Sequence, residues 1–432
     1  MLRSVSSTAR FLGHVVRDLA GSLRRRWRLW HDRIVHGHTR TVVGVDVYSF
    51  FERMTGVGWY TWNLLAALDR RDDGLEFNLY ARGFLGPHDG APPAMPGDRR
   101  MRLRTHHLPA DLLLPQRLTL GFMRTVVEPL LKLLDNNDVL FAPNFFLQAD
   151  QLPFGRTCVA TVHDLAFHAM PENVAPETLA RLRQHLPETL FRADRLVAVS
   201  QSTADDLEEF LHVSRRRIHT VHEGLDPAFV VSDEPQEPPD GIPDPYLLFV
   251  STLEPRKNVS GVVRAFRLVV DWGYPGHLVL VGRWGWHTDA IRHEIETSPV
   301  AHRILHLDYV DRDRLPALYA HADALLFPSW LEGFGLPLLE AMACGAPVIT
   351  AGRSSMPEVA GSAAIYVDPS SPHGIASAVT SLLEDPQHRE RLVSLGRERA
   401  RRFSWDRAAA ATAEIFRQAA GLPARDDDEY RV

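Results

Sequence analysis

Apolar positions follow two rhythms along this chain. Short runs over 41–47, 76–80, 138–141, 157–162 and 195–199 are strand-length and bounded by polar turns, and each predicts a buried strand. Gly56 and Gly58 lie in a predicted loop after the first run, and helical spacing predicts a helix over 60–68. A second series opens with a strand over 246–250. It continues with a helix over 259–270, a strand over 278–281, a helix over 313–321 and a strand over 324–327, and runs on to about residue 385. Such alternation predicts parallel sheets covered by helices, twice over. The stretch 231–245, rich in Pro, Asp and Glu, is the linker between the halves, and an amphipathic helix over 405–420 closes the pattern.

The most informative segment is 332–350, EGFGLPLLEAMACGAPVIT. Pro337 suits the first turn of a helix and Gly345 its end, before a strand over 348–350. The loop therefore sits where a parallel strand feeds a helix. There the amides of Phe334, Gly335 and Leu336 face outward with the positive end of the helix dipole, a place for an anion. Glu340 falls about one turn into that helix, where a carboxylate can accept two hydrogen bonds from a ribose diol. Glu332, on the loop, stands toward a sugar. Two ordinary surface glutamates are the competing reading. In STLEPRKN, residues 251–258, Arg256 and Lys257 supply the cations that a diphosphate leaving group needs; a solvated pair after a proline turn is the alternative.

Composition changes this picture little, and charge changes it in one place. At 432 residues, 45% hydrophobic and 24% charged, the chain suits two globular cores. Cys158 and Cys344 lie in apolar segments and read as free thiols suited to a reducing cytosol. No apolar stretch is long enough to span a bilayer and no signal-peptide core is present, so a cytoplasmic protein is expected. The formal net charge of −6 hides an asymmetry: residues 1–40 carry nine Arg against Asp18 and Asp32. Arg3, Arg10, Arg17 and Arg24 recur every seven residues, while Leu12, Val16, Leu19, Leu23, Trp27, Trp30 and Ile34 follow helical spacing. This is a basic amphipathic helix, to lie on an anionic membrane surface or pack on the body of the protein; a mitochondrial presequence has similar composition.

Other nucleotide and metal readings fit poorly. Gly282 and Gly285 lack the dinucleotide spacing, so NAD is not expected. Asp311 and Asp313 form an Asp-x-Asp at a predicted helix start, where capping explains them. The histidines show no closed metal spacing, and no catalytic metal, cofactor or nucleic-acid partner is expected.

At 332–350 the chain resembles glycosyltransferase family 4, retaining enzymes of the two-domain fold called GT-B. The signature of Glu, seven residues, Glu, a small-residue helix and Gly-x-Pro-Val is intact, and the resemblance covers most of 41–415. It implies two Rossmann-like α/β domains of parallel sheet facing a cleft: an acceptor-side domain over 41–230, a nucleotide-sugar domain over 246–400, and a helix over 401–420 returning to the first. Residues 1–40 and 421–432 are then an extension and a tail. Relatives read Gly-x-x-Glu-Pro-Arg-Lys-Asn where this chain has Ser251 and Thr252, which puts one phosphate contact in doubt and shifts load to Arg256. By the same resemblance, Gly56 and Gly58 in TGVGWYTWNLL approach the donor phosphate, although a tight turn would look identical. His163 in VHDLAF contacts the transferred sugar. Ser200 in VAVSQST, and Gly224 with Asp226 in HEGLDPAF, match further cleft segments.

The combination LEPRKN, PSWLEGFGLPLLEAMACGAPVIT and SSMPEVAG looks closest to bacterial mannosyltransferases that use GDP-mannose in polysaccharide or O-antigen assembly. The expectation is a retaining, metal-independent hexose transfer to a glycan or lipid-linked acceptor, cytoplasmic or peripheral on the inner membrane face. A UDP- or ADP-sugar donor is the alternative within the family. A degenerate membrane-associated assembly subunit is the alternative outside it, and intact Glu332, Glu340, Arg256, Lys257 and His163 weigh against that.

Overall fold

The computed structural model describes residues 2–35, 40–51, 54, 56–80, 96, 97, 100–103, 125, 126, 130, 134–147, 155–229, 239 and 241–422; side chains at 2–12, 14, 18, 32–35 and 155 lie outside it. Most of the linker stretch, 231–238 and 240, and the tail from 423 also lie outside the described residues.

The first half folds into a seven-stranded sheet of order β3-β2-β1-β4-β5-β6-β7. Its strands are β1 (Thr41–Asp46), β2 (Leu75–Tyr80), β3 (Met101–Leu103), β4 (Asn137–Ala142), β5 (Gly155–Val162), β6 (Arg195–Ala198) and β7 (Ile218–Thr220). The second half gives a six-stranded sheet of order β10-β9-β8-β11-β12-β13. It is built from β8 (Tyr246–Val250), β9 (His277–Val281), β10 (Ile304–Leu307), β11 (Ala324–Phe327), β12 (Val348–Ala351) and β13 (Ala364–Val367). Every pairing in both sheets is parallel. The central strands are buried on both faces, as their continuous apolar runs require. Strand order reverses between β1 and β4 in one sheet and between β8 and β11 in the other, and ligands of open parallel sheets bind outside the strand ends at such a switch. The loops after β8 and β11 are 251–258 and 328–335, the two segments singled out above.

On and between these sheets pack α1 (Leu2–Val35), α2 (Gly56–Arg70), α3 (Gln201–Leu211), α4 (Val259–Trp272), α5 (Leu336–Cys344), α6 (Met356–Ala360) and α7 (Trp405–Ala419). Where 60–68 was expected, α2 begins at Gly56, so Gly56 and Gly58 form a first helical turn and not a loop. Neither glycine has positive φ, and the helix continues through them. At the other end of the chain α7 packs on the first sheet. Trp405 meets Tyr60 edge-on at 5.7 Å between ring centres, Phe416 meets Phe141 at 5.0 Å, and Arg417 donates to the Asp73 carbonyl.

Helix α1 covers one face of the first sheet. In β2 the side chains alternate, so Leu75, Phe77 and Leu79 enter the apolar core while Glu76, Asn78 and Tyr80 share the opposite face. Against that polar face α1 sets Arg25, paired with Glu76 at 2.7 Å, and Ser22, whose hydroxyl donates to Asp135 at 3.4 Å. Arg28 and Arg40 also reach Glu76, at 2.9 and 3.0 Å. Burial raises the Glu76 carboxyl, and the Arg25 and Arg28 cations overcome it to hold the group below its usual range. The helix is thus docked on the body through polar groups.

Candidate active site

The loop after β8 turns through one 3-10 turn, Pro255–Lys257, and leaves it at Asn258 in the left-handed region (φ 59°), which starts α4. Asn258 fastens that turn by donating to the carbonyls of Pro328 and Pro369 at 3.2 and 2.7 Å. The loop after β11 ends at Gly335, whose φ of 112° lets the chain swing into α5 with Pro337 in the first turn. The first amides of α5 have no carbonyl partner within the helix, leaving a positive pole beside the loop. Gly345, at φ 84°, ends the helix, and β12 follows at Val348, as the sequence indicates.

These two loops are joined by charge. Lys257 Nζ donates to both Glu332 carboxylate oxygens at 2.6 Å, and Arg256 lies 3.5 Å from the same carboxylate. Arg256 also donates to the Leu331 carbonyl at 2.7 Å and pairs with buried Glu254 at 2.9 Å. Two cations and two carboxylates therefore balance. Burial raises the Glu332 carboxyl, but Lys257 and Arg256 overcome it and hold the group below its ordinary range. For Glu254 burial outweighs the same cations and its carboxyl is raised. Arg256 and Lys257 are thus held together beside the β8 and β11 loops, each paired with a carboxylate.

His163 follows β5. Its Nε2 donates to the Pro143 carbonyl at 2.8 Å, Nδ1 lies 3.6 Å from Glu223, and the ring sits edge-on to Tyr60 at 4.8 Å. The two halves touch here directly: a Cβ on Gly333 would fall 1.7 Å from the His163 carbonyl oxygen. The Thr203 hydroxyl lies 3.3 Å from both the His163 and Gly333 carbonyls. Ser200 is fully buried and accepts from the Thr203 amide at 3.0 Å, capping α3; its hydroxyl serves the helix.

Glu340 forms a separate cluster. Tyr319 donates its hydroxyl to Glu340 at 2.8 Å, and burial pushes the Glu340 carboxyl up to about 7, against the lowering pull of that bond and of Arg312. Arg312 pairs with Asp226 and lies 4.1 Å over the Trp59 ring, next to Gly58 on α2. Gly58 is buried against Met54, whereas a Cβ on Gly56 would meet nothing within 4 Å. The structure thus joins Arg256, Lys257, Glu332 and His163 through adjoining loops. Glu340 is linked to the α2 glycine turn through Arg312.

Three readings are refined. Gly282, at φ 137°, is needed because a Cβ would fall 1.9 Å from the Ser251 carbonyl oxygen; the Leu253 amide then donates to the Arg283 carbonyl at 2.8 Å, and the Gly285 amide to the Leu253 carbonyl at 3.0 Å. Asp311 and Asp313 do not cap: the helix begins at Leu315 without a side-chain cap, and Asp311 contributes only its carbonyl, to the Arg314 amide at 3.0 Å. Gly224 lies against the start of α7, with a built Cβ 2.1 Å from the Trp405 nitrogen. Glu254, Arg312, Tyr319 and Glu358 were missed as site residues. Of these only Glu254 carried a sequence signal, its place beside Arg256.

Two Rossmann-like parallel sheets, with the loop after β11 of one set against the loop after β5 of the other, define the GT-B class of glycosyltransferase folds. Family models described as Glycosyltransferase Family 4 and Glycosyl transferases group 1 match residues 54–229 and 233–399. O-antigen chain mannosyltransferase B of Escherichia coli is 30% identical over 296 residues, 66% of this chain and 75% of that one. Among solved structures, WaaG, a glycosyltransferase involved in lipopolysaccharide biosynthesis, aligns at TM-score 0.62 and 16% identity over 87% of this chain and 99% of that one. Anabaena Alr3699/HepE in complex with UDP-glucose aligns at TM-score 0.60 and 17% identity, over 88% of this chain and 99% of that one. The chain belongs to glycosyltransferase family 4 and is a glycosyltransferase.

Proposed function

We propose that this enzyme transfers mannose from GDP-mannose, with retention and without a metal, to a lipid-linked glycan at a membrane surface. The observation that carries the reading is the balanced cluster of Arg256, Lys257, Glu332 and Glu254 at the switch point. When a diphosphate enters, Arg256 and Lys257 turn from the carboxylates to its oxygens. As the bond from anomeric carbon to diphosphate oxygen breaks, they stabilise the negative charge growing on that oxygen. Glu332 then faces the positive charge on the anomeric carbon. The acceptor hydroxyl attacks from the leaving-group face and its proton passes to the departing phosphate, so configuration is kept. Glu340 accepts from the ribose diol, and the α5 amides, Phe334 to Leu336, hold sugar oxygens. Gly56 and Gly58 bound the donor on the other side, and His163 the sugar. Support for mannose comes from the similarity to O-antigen chain mannosyltransferase B.

The purified chain is screened against GDP-, UDP- and ADP-sugars by thermal shift, with Glu340→Ala and Arg256→Ala alongside. A shift with GDP-mannose alone, lost in both variants, is expected. A UDP-sugar shift moves the donor to the second reading, which the UDP-glucose complex of HepE favours. No shift with any sugar nucleotide brings forward the assembly subunit. Product NMR at the anomeric position and turnover in EDTA test retention and metal independence.

A further inference from the structure

Helix α1 is docked with its apolar stripe outward. Val16, Leu23, Trp27 and Trp30 are 62%, 55%, 63% and 58% exposed, while Ser22 and Arg25 face the sheet. At 100° per residue those four positions fall within an arc of about 60°. Exposed Arg17 and Arg24 flank the arc on one side and exposed Arg26 on the other. Tryptophan with arginine borders is the composition of a helix lying in the headgroup region of an anionic bilayer.

Beside Trp30 a cavity of about 250 Å³ opens between α1 and the amino-terminal ends of β1, β4 and β5. Arg25, Arg26, Arg40 and Arg156 line it. Its two acids are already engaged: Asp135 accepts from the Tyr80 hydroxyl at 2.7 Å and Asp138 from the Val42 amide at 3.0 Å. Arg25 and Arg40 are turned to Glu76 on the floor, whereas Arg156 is exposed on the rim. With Glu76 counted, four cations face three acids, and the cavity keeps a positive balance.

We propose that α1 seats this enzyme on an anionic bilayer through the Val16–Trp30 stripe, and that the arginine-lined cavity beside it takes the phosphate of a phospholipid headgroup. The proposal rests on the membrane-surface part of the reading above and on none of its donor chemistry. The cavity lies at the amino-terminal strand ends of the first sheet, about 20 Å along a six-residue strand from the carboxyl-terminal ends, where the His163 loop meets Gly333. An acceptor whose growing end stands clear of the bilayer suits that separation.

The full chain is sedimented with vesicles of phosphatidylcholine, with and without phosphatidylglycerol. Binding is expected only with phosphatidylglycerol. The double variant Arg26→Gln/Arg156→Gln should weaken it about fivefold per arginine. Arg216→Gln/Arg391→Gln, exposed elsewhere, should leave it unchanged, and Trp27→Ser/Trp30→Ser should abolish sedimentation. Equal binding to both vesicles, or full binding by the Arg26/Arg156 variant, overturns the proposal. So does a melting shift with inorganic phosphate in the absence of vesicle binding, which would mark a site for the free anion. The GDP-mannose thermal shift is read on the same variants and should not change; failure of the donor reading leaves the vesicle result standing.

Discussion

Lys257 shows how much a buried charge depends on its neighbour. Replacing it by Met leaves Glu332 buried, beside Arg256 at 3.5 Å alone. The expected loss is about 3 to 5 kcal/mol of stability. Adding Glu332→Gln should recover more than half of it in urea unfolding, while activity stays lost in both. Glu340 carries a pH dependence of the opposite kind. Its folded carboxyl is raised to about 7, so between the ordinary carboxylate range and 7 the folded state holds the proton that the unfolded chain releases. Its share of stability is therefore present in acid and lost as pH rises through 7. Glu340→Gln should flatten the melting temperature across pH 5 to 8. On the proposed donor reading, binding has the reverse sign, because a diol needs the ionised acceptor: affinity by calorimetry should rise through pH 7 in the parent and not in the Gln variant. At this scale the sequence singled out Glu332, Arg256 and Lys257 in the loops after β11 and β8, and Glu340 one turn into α5, because their segments have a recognisable order. Tyr319 and Arg312 sit in a helix and turn without special pattern, and only tertiary contact gives them their place beside Glu340.

At the scale of elements, the central strands were legible and the outer ones were not. β1, β8, β9, β11 and β12 are apolar runs buried on both faces, and β2 alternates apolar with buried polar positions. The strands missed, β3, β7, β10 and β13, are the four sheet edges. Each spans three or four residues, and most of their positions are only half-buried, so no continuous run marks them. The early start of α2 was hidden for another reason: glycines score as loop by propensity, and only packing on the sheet and on α7 outweighs their cost of about 1 kcal/mol each. A prediction belongs to the β11–α5 loop. Gly333→Ala drives a methyl into the His163 carbonyl at 1.7 Å, so the two loops must part. X-ray scattering should report a larger radius of gyration, with kcat falling by tenfold or more while each half keeps its circular dichroism.

The two halves of the molecule share one apolar cluster, and polar ties cross beside it. Glu358 on α6 accepts from the first amides of α3, Gln201 at 2.7 Å and Ser202 at 3.3 Å, and meets His222. Burial raises the Glu358 carboxyl, and the His222 and amide hydrogen bonds overcome it to hold the group low. Arg312 on Asp226 adds a further ion pair between the halves. The tie through α7 is apolar. Trp405→Ala should cost about 3 to 5 kcal/mol and lower the melting of the first half, seen by hydrogen exchange at β1 and β4.

That last helix also sets an order of events during synthesis. Its Arg417 reaches back 344 residues to the Asp73 carbonyl, and Phe416 covers Phe141 in the first-made sheet. A nascent chain that has completed residues 41–230 still exposes the apolar groove that α7 will fill. The first half must wait on the ribosome until residues 405–419 are made, and a chain stopped near residue 400 would leave that groove open to chaperones or to aggregation.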